Sequence, residues 1–388
     1  MTVNAFSTLP PRWKLHKLGA CVRLINGRAY SQHELLDSGT PVIRIQNLNG
    51  GDRWYYSDLN LPEDKYCHRG DLLFAWSASF GPYIWNGEKS IFHYHIWRVI
   101  PNEFLEKAFA FRLLDWITAK VKSASRGVAM LHMTKSGMEA WPIALPPITE
   151  QRRIAAILDQ ADALRAKRRE ALVQLDNLKQ SIFIEMFGDP STNPKDWPSA
   201  NLGSLIHSAS DGPHVSPTYA DSGVPFLSAR HVRPGEISWH DLKFLTQEDA
   251  KLQWKKCKPG RGDILYTKGG TTGFAAVVKT DEQFAVWVHV ALLRPNRDLV
   301  DSTWLEAMLN SDYCYRQSQD LTHGIANRDL GLKRMVKIQM YCPPLALQLE
   351  FSRRMSQLAN QKELQRSALS ELDGLFESLQ HRAFRGEL

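Results

Sequence analysis

Two stretches of this chain carry a heptad pattern of apolar residues on a polar background. The first follows Ile143-Ala144-Leu145-Pro146-Pro147 and keeps to helix-type residues as far as Phe187-Gly188-Asp189-Pro190. Ile154, Ala161, Leu175 and Ile182 recur on one seam, with Arg168 interrupting. Ile157, Leu164, Ala171 and Leu178 recur on a second, and Leu158, Leu172 and Met186 widen the stripe. This is coiled-coil patterning. The paired prolines form a stiff joint, because proline fixes its own φ and biases the preceding residue away from the helical region. Thr149 suits the N-cap. The second stretch follows Cys342-Pro343-Pro344 and runs to Phe384-Arg385-Gly386-Glu387-Leu388. Its seam is Phe351, Leu358, Leu372 and Leu379, flanked by Met355, Ala368, Leu369, Leu375 and Phe376.

An isolated helix of this kind usually dimerises something or caps a core. Two in one chain change the expectation, since the simplest partner of each is the other. The residues expected to pair them are Ile154, Leu164, Leu175, Leu178, Ile182, Phe351, Leu358, Leu372, Leu375 and Leu379. An antiparallel pair would place the globular segments at opposite ends. About 38 residues at 1.5 Å each span roughly 57 Å, equivalent to about 17 base pairs of DNA.

Before each helix the pattern shortens. Val42–Leu48, Asp71–Trp76, Ile91–Ile100, Asp263–Thr267 and Phe284–Arg294 read as strands, with Gly and Pro between them. Phe104–Ala124 reads as an amphipathic helix, with Trp304–Gln317 as its counterpart. The two segments share landmarks in one order. Trp13 with Leu18-Gly19 matches Trp197 with Leu202-Gly203. Ser38-Gly39-Thr40-Pro41-Val42 matches Ser222-Gly223-Val224-Pro225-Phe226, and Arg69-Gly70-Asp71 matches Arg261-Gly262-Asp263. His95 matches His289, Gly127-Val128-Ala129 matches Gly324-Ile325-Ala326, and Pro146-Pro147 with Gln151 matches Pro343-Pro344 with Gln348. The chain is therefore read as α+β: two similar α/β globular domains separated by two long helices that form an intramolecular antiparallel coiled coil with pseudo-twofold symmetry. The divisions fall at 1–147 and 191–344 for the domains, and at 148–190 and 345–388 for the helices.

Composition adds limits. At 388 residues the chain is long enough for several cores. Its five cysteines are dispersed without a CxxC pair, which suggests reduced thiols in a cytoplasm. No apolar run is long enough to span a membrane, and the first residues lack a secretory pattern. A net charge of +7 is mildly basic and permits a nucleic-acid partner.

Catalytic chemistry is hard to place. Lys268-Gly269-Gly270-Thr271-Thr272-Gly273 is glycine-rich but lacks the Lys-Ser/Thr ending of a phosphate loop. Glu63-Asp64-Lys65 has the Glu-x-Lys form of many metal-dependent nucleases, but such a tripeptide is usually a solvated turn. His93 and His95 would face one side of a strand, without a Cys or carboxylate cluster to complete a metal site. The better candidates are groups that could contact DNA. In the first segment these are Arg44, Gln46, Asn47, Trp76, Ser77, Ser79, Lys122 and Arg126. In the second they are Arg230, His231, Lys255, Lys256, Lys268, Thr271, Thr272, His323, Asn327 and Arg328. Arg, Lys, Asn and Gln can pair with base edges in the major groove, whereas clustered Lys and Arg more often bind phosphate. Each is also explained as an ordinary surface side chain. The loops differ between the repeats while the framework matches, as expected if one scaffold recognises two different things.

With this layout the chain resembles the specificity subunit of type I restriction–modification systems. The resemblance spans the full length. It rests on Leu145-Pro146-Pro147-Ile148-Thr149-Glu150-Gln151-Arg152-Arg153-Ile154-Ala155, Leu175-Asp176-Asn177-Leu178, Ser181-Ile182-Phe183 and Met186-Phe187-Gly188-Asp189-Pro190. The second copy departs from it, with Leu347 in place of Glu150 and Phe351 in place of Ile154. The resemblance implies a non-catalytic, cytoplasmic protein with two target recognition domains, each reading half of a bipartite, asymmetric double-stranded DNA sequence. The helices would set the unread spacer. Two methyltransferase subunits would dock on the helical region and supply S-adenosylmethionine, and motor-nuclease subunits could join for restriction. This chain would bind neither cofactor nor metal. The alternatives are a two-headed protein-interaction scaffold without DNA binding and a stand-alone nuclease using Glu63-Asp64-Lys65.

Overall fold

A computed structural model describes residues 9–124, 133–215, 217–325 and 327–388. The chain divides into two compact units. One comprises the residues through Arg169 together with Ser367–Leu388, and the other is Glu170–Arg366.

In the N-terminal unit, Val22–Asn26, Ile96–Pro101, Leu72–Ala75 and Gly81–Ile84 lie in that order in an antiparallel sheet. A second sheet has the order Tyr55–Ser57, Thr40–Ile43, Ser90–Phe92, Tyr66–Cys67, with Thr40–Ile43 and Ser90–Phe92 parallel. The run Leu72-Leu73-Phe74-Ala75 is apolar throughout because the first sheet is buried on both faces. Leu72 and Phe74 enter a large core with Phe109, Leu113 and Ile117 of the helix Lys107–Ala124, while Leu73 enters a smaller core with Ile43 and Phe92. A ribbon of Lys14–Lys17 against Pro142–Leu145 ties the start of the domain to the strand before the long helix.

The C-terminal unit repeats the plan. Its sheets have the orders Ile206–Asp211, Val290–Pro295, Ile264–Thr267, Ala275–Val277 and Tyr219–Ala220, Lys243–Leu245, Val224–Leu227, Ala285–Val286. Ile264 and Tyr266 face one core and Leu265 the other. Ser199–Asn201 pairs with Gln339–Tyr341 as the closing ribbon.

Several expected elements are shorter than the sequence pattern implied. Val42–Leu48 is not one strand: the strand ends at Ile43 and a turn of helix covers Ile45–Leu48. Ile91–Ile100 is two strands parted at His93-Tyr94-His95, where the Ile96 N–H turns back to the His93 carbonyl at 2.9 Å. The chain there leaves one sheet and enters the other. Phe284–Arg294 breaks in the same way. Trp304–Gln317 is two helices, Ser302–Leu309 and Asp312–Asp320, because the Ser311 side chain caps a new start at Cys314 N–H.

The long helices are Ile148–Phe187 and Leu345–Ala383. Thr149 lies inside the first turn and is not the cap; the Glu150 and Gln151 N–H groups already donate to the Pro147 carbonyl. The first helix ends at Gly188, whose φ of +81° is left-handed. In the N-terminal unit, Ile154, Leu158 and Ala161 share a core with Phe376, Leu379, Ala383 and Phe384. In the C-terminal unit, Leu175, Ile182, Phe183 and Met186 share one with Phe351, Met355 and Leu358. The start of each helix therefore packs on the end of the other, so they pair antiparallel. Of the residues expected to pair the helices, Leu164, Leu178 and Leu375 are 51%, 44% and 51% exposed and lie outside the buried cores. The buried line steps by four and three through Ile154, Leu158 and Ala161, and in the second helix through Phe351, Met355 and Leu358.

Charged residues take over towards the middle. In the N-terminal unit, Arg112 holds Asp159 at 2.7 Å and Asp162 at 2.9 Å, and Arg165 joins Asp162 at 2.9 Å to Asp373 at 2.6 Å. In the C-terminal unit Lys362 pairs with Asp176. The two cross-helix pairs, Arg165 with Asp373 and Lys362 with Asp176, occupy equivalent places in the repeat.

The paired glutamines explain the Pro-Pro-x-x-x-Gln motif. Gln151, 1% exposed, donates to the carbonyls of Pro146 at 2.9 Å and Phe104 at 2.8 Å, and accepts the Glu106 N–H at 2.8 Å. Gln348 does the same with Pro343 at 2.7 Å, Leu299 at 3.2 Å and the Asp301 N–H at 2.9 Å. Each amide locks a helix start to the loop that precedes the domain's own helix, and satisfies backbone groups that burial would otherwise strand.

Candidate nucleic-acid interface

In both domains the first sheet strand is followed by a glycine pressed against the other sheet. A Cβ on Gly27 would stand 2.2 Å from the His93 carbonyl, and one on Gly212 would stand 2.2 Å from the Val286 carbonyl. The close approach sets the end of that strand directly against the backbone leaving the other sheet. The backbone confirms which loops correspond: Trp76 N–H donates to the His95 carbonyl at 3.1 Å, and Lys268 N–H to the His289 carbonyl at 2.9 Å.

In the N-terminal domain, Arg44 follows the strand Thr40–Ile43. Its guanidinium lies 5.2 Å from the Tyr55 ring, as does that of Arg53. Gln46 is exposed and donates to the Arg53 carbonyl at 2.9 Å. Asn47 is buried. Its Oδ1 accepts the Arg44 N–H at 3.0 Å, and its Nδ2 donates to the carbonyls of Gly51 and Arg53, so its side chain shapes the turn. Trp76 donates Nε1–H to the Tyr94 carbonyl at 2.8 Å and stacks at 6.0 Å on Trp97, with the His95 ring edge-on at 5.1 Å. Ser77 is buried, and the Ser79 hydroxyl accepts from Asn49 at 2.7 Å. These loops meet, since Tyr83 donates to Asn49 and to the Ser79 carbonyl. Lys122 is exposed on the helix Lys107–Ala124, and Arg126 lies outside the described residues.

His93 and Tyr94 join this surface. Burial, then the nearby His95 and Arg44, push the His93 pKa down to about 4, so it is neutral at pH 7. The His93 and His95 rings lie 5.0 Å apart edge-on. Among the described residues no cluster of three or more His, Cys, Asp or Glu side chains is arranged to hold a metal. Glu63-Asp64-Lys65 forms a single turn in which Glu63 pairs with Lys89 at 3.1 Å and Lys65 donates to the Asn26 carbonyl at 3.0 Å.

In the C-terminal domain, Arg230 is exposed and donates to the Asp241 carbonyl at 2.7 Å. His231, equivalent to Asn47, is buried and accepts the Ser228 N–H on Nδ1 at 2.8 Å. Its pKa is lowered by burial and by Arg230. Lys255 points to solvent. Lys256 binds Asp211 at 2.5 Å. Lys268 has a side chain only 7% exposed, held by Asp211 at 3.2 Å and Asp329 at 3.3 Å. Burial pushes the Asp211 carboxyl up, but hydrogen bonds from Lys256 and Lys268 outweigh it and leave the pKa below the ordinary value. Thr272 is buried and shares a hydrogen bond with Thr322 at 3.2 Å, while Thr271 is exposed. His323, Asn327 and Arg328 are exposed on a loop that meets the Lys268 loop where Gly270 N–H donates to the Arg328 carbonyl at 3.0 Å. Sequence reading missed Asp211 and Asp329, which lie far from Lys268 along the chain.

The two domains thus present different chemistry on one frame: guanidinium, amide and aromatic groups on the first, and hydroxyl, imidazole, amide and cationic groups on the second. A family model described as "Type I restriction modification DNA specificity domain" matches residues 10–174. The EcoBI specificity subunit of Escherichia coli is 23% identical, the alignment covering 100% of this chain and 88% of that one. The MjaVIII specificity subunit of Methanocaldococcus jannaschii is 21% identical over 98% of this chain and 94% of its own. A chain solved in a study of complex assembly and conformational transition of the type I R-M system has 22% identity and a TM-score of 0.60, covering 98% of this chain and all of that one. The S subunit from M. genitalium gives 0.56 at 13% identity, covering 99% of this chain and 98% of that one.

Proposed function

We propose that this chain is the non-catalytic sequence-recognition subunit of a type I restriction–modification complex, a reading supported by the family model matched at residues 10–174 and by the full-length likeness to specificity subunits. Each domain reads one half of a bipartite, asymmetric double-stranded DNA target. The paired helices fix the number of unread base pairs between the halves. Two methyltransferase subunits dock on the helices and bring S-adenosylmethionine with them, and motor-nuclease subunits complete the assembly for restriction. This chain binds no cofactor of its own.

The observation that carries the reading is one scaffold used twice with unlike loops. Matching frames place Trp76 where Lys268 stands, Arg44 where Ser228 stands and Asn47 where His231 stands. Exposed apolar residues on the helices, among them Leu164, Val173, Leu178, Leu364 and Leu375, support docking of further subunits there. Among the described residues no helix is long and apolar enough to cross a membrane.

The test is to insert or delete four residues near Ala171 and map methylated sites in cells that carry the variant with its methyltransferase. Four residues lengthen a helix by about 6 Å, so the spacer changes while both half-sites stay the same. A changed half-site with an unchanged spacer would refute the assignment. A chain that, with its methyltransferase subunits, shows no salt-dependent retention of DNA would instead be a scaffold.

A further inference from the structure

Lys268 would ordinarily be taken as a DNA contact: it opens a glycine-rich loop on the face where the other candidates gather. Its surroundings argue otherwise. The ammonium group sits between two carboxylates, Asp211 at 3.2 Å and Asp329 at 3.3 Å, with only 7% of its side chain exposed. Asp211, with 9% of its side chain exposed, also takes Lys256, and Asp329 also takes Arg334 at 3.1 Å. Reaching out to a phosphate would cost Lys268 both carboxylates at once and leave Asp211 to Lys256 alone among the lysines, and breaking a buried ion pair is strongly disfavoured.

We infer that Lys268 is a positioning residue: the Asp211–Lys268–Asp329 bridge ties three separate loops of the C-terminal domain into the one shape that reads its half-site. The bridge joins the end of the strand Ile206–Asp211, the start of the loop after Ile264–Thr267, and the segment His323–Leu330. Backbone bonds run beside it. Leu330 N–H donates to the Lys268 carbonyl at 2.7 Å, and His323 and Asp329 exchange N–H bonds at 2.9 Å. The polar side chains facing solvent on the tied loops include Thr271, His323, Asn327 and Arg328, with the apolar Ile325 beside them. They are the readers; Lys268 sets where they stand. The N-terminal domain holds the corresponding loop by other means. There Trp76 replaces Lys268 and is fixed by its ring contacts with Trp97 and His95 and its bond to the Tyr94 carbonyl. The bridge therefore governs one half-site only.

The inference rests on the proposed DNA-reading function, and the experiment keeps the two apart. The full chain is assembled with its methyltransferase subunits as wild type, Lys268→Met and Asp329→Asn. Methylated sites are mapped for each, and DNA affinity is measured against salt. If wild type yields no bipartite site, the function assignment fails regardless of the variants. Given a bipartite site, Lys268→Met should relax base preference at one or more positions of the C-terminal half-site by about tenfold or more. The other half-site should be unchanged, and so should the slope of log affinity against log salt. Asp329→Asn, whose carboxylate is half-exposed and tolerates substitution better, should relax the same positions, and adding it to Lys268→Met should do little more because both break one bridge. The inference is overturned if Lys268→Met keeps base preference but lowers the salt slope by about 0.9, the signature of a lost phosphate contact. It is also overturned if base preference survives while only the melting temperature falls. Should Lys268→Met fail to fold, Asp329→Asn alone decides, and unchanged preference at the C-terminal half-site refutes the bridge.

Discussion

Replacing Gln151 by Leu isolates the joint between helix and domain. Leucine has nearly the same bulk and a comparable helix propensity, so the change removes hydrogen bonds with little change in packing. Three partners lose their bond: the Pro146 carbonyl in a buried contact, and the Phe104 carbonyl and Glu106 N–H at its half-buried edge. A buried orphan costs about 1–3 kcal/mol, and a bond that water can partly replace about 0.5–1.5 kcal/mol. Together the loss is on the order of 2–6 kcal/mol. It falls on the N-terminal unit, because all the groups involved belong to it. Gln348→Leu should cost the C-terminal unit a similar amount through Pro343, Leu299 and Asp301. A chain of two units need not unfold in one step, so the measurement is hydrogen exchange read by mass spectrometry through a urea series, which follows each unit separately. Gln151→Leu should lower protection across the start of the first long helix and in the N-terminal sheets, leaving the C-terminal sheets as in wild type. A loss below about 0.5 kcal/mol, the size of an ordinary surface change, or an equal loss in both units would refute the view that this amide is a local lock.

Other outcomes follow from the charged and imidazole groups. His93 has its pKa lowered to about 4 from an ordinary 6.5, so the unfolded chain binds the extra proton between those values; stability of the N-terminal unit should fall as pH drops from 6.5 towards 4, and His93→Gln should flatten that slope in thermal melts. Asp211 has its pKa lowered from 3.8, so its stabilisation is complete above that pH and fades below it; Asp211→Asn should be destabilising at pH 7 and lose its penalty in acid melts, and a constant penalty would contradict the assigned ion pairs. Arg44→Ala should relax base preference in the N-terminal half-site by about 1–3 kcal/mol, whereas Lys255→Ala should weaken binding to all sequences alike and reduce the salt slope by about one, both read from affinities across a salt series.

The long helices, the repeat and the α+β character were legible because each is a local periodicity or a matched landmark. Gln151 and Gln348 were visible as matched positions, but their task was not, since it depends on loops such as Phe104–Glu106 that lie elsewhere in the chain. The strand Val42–Leu48 was overextended because an apolar run continues through Ile45 and Leu48, while the Asn47 side chain bends the backbone into a helical turn. Leu164, Leu178 and Leu375 fit a heptad yet face outwards: spacing defines a stripe, and only the partner decides which edge of it is covered. The same limit applies to the candidate DNA contacts. Residue type singled out Asn47, His231, Lys268 and Thr272 equally with Arg44 and Arg328, but the first four are buried in local hydrogen bonds and ion pairs. What separates them is tertiary, as is the pairing of Lys268 with Asp211 and Asp329.

The apolar cores are each confined to one unit, and ion pairs such as Arg165 with Asp373 and Lys362 with Asp176 stand towards the middle of the helices. Within each unit the core runs from the domain into both long helices, so a changed domain has to keep the side chains that meet them, while the core of the other unit is untouched. The helix ends that support each domain come from both copies of the repeat, so an exchanged domain finds its supports already in place. Recombination that replaced one domain alone would therefore leave the core of the other unit intact.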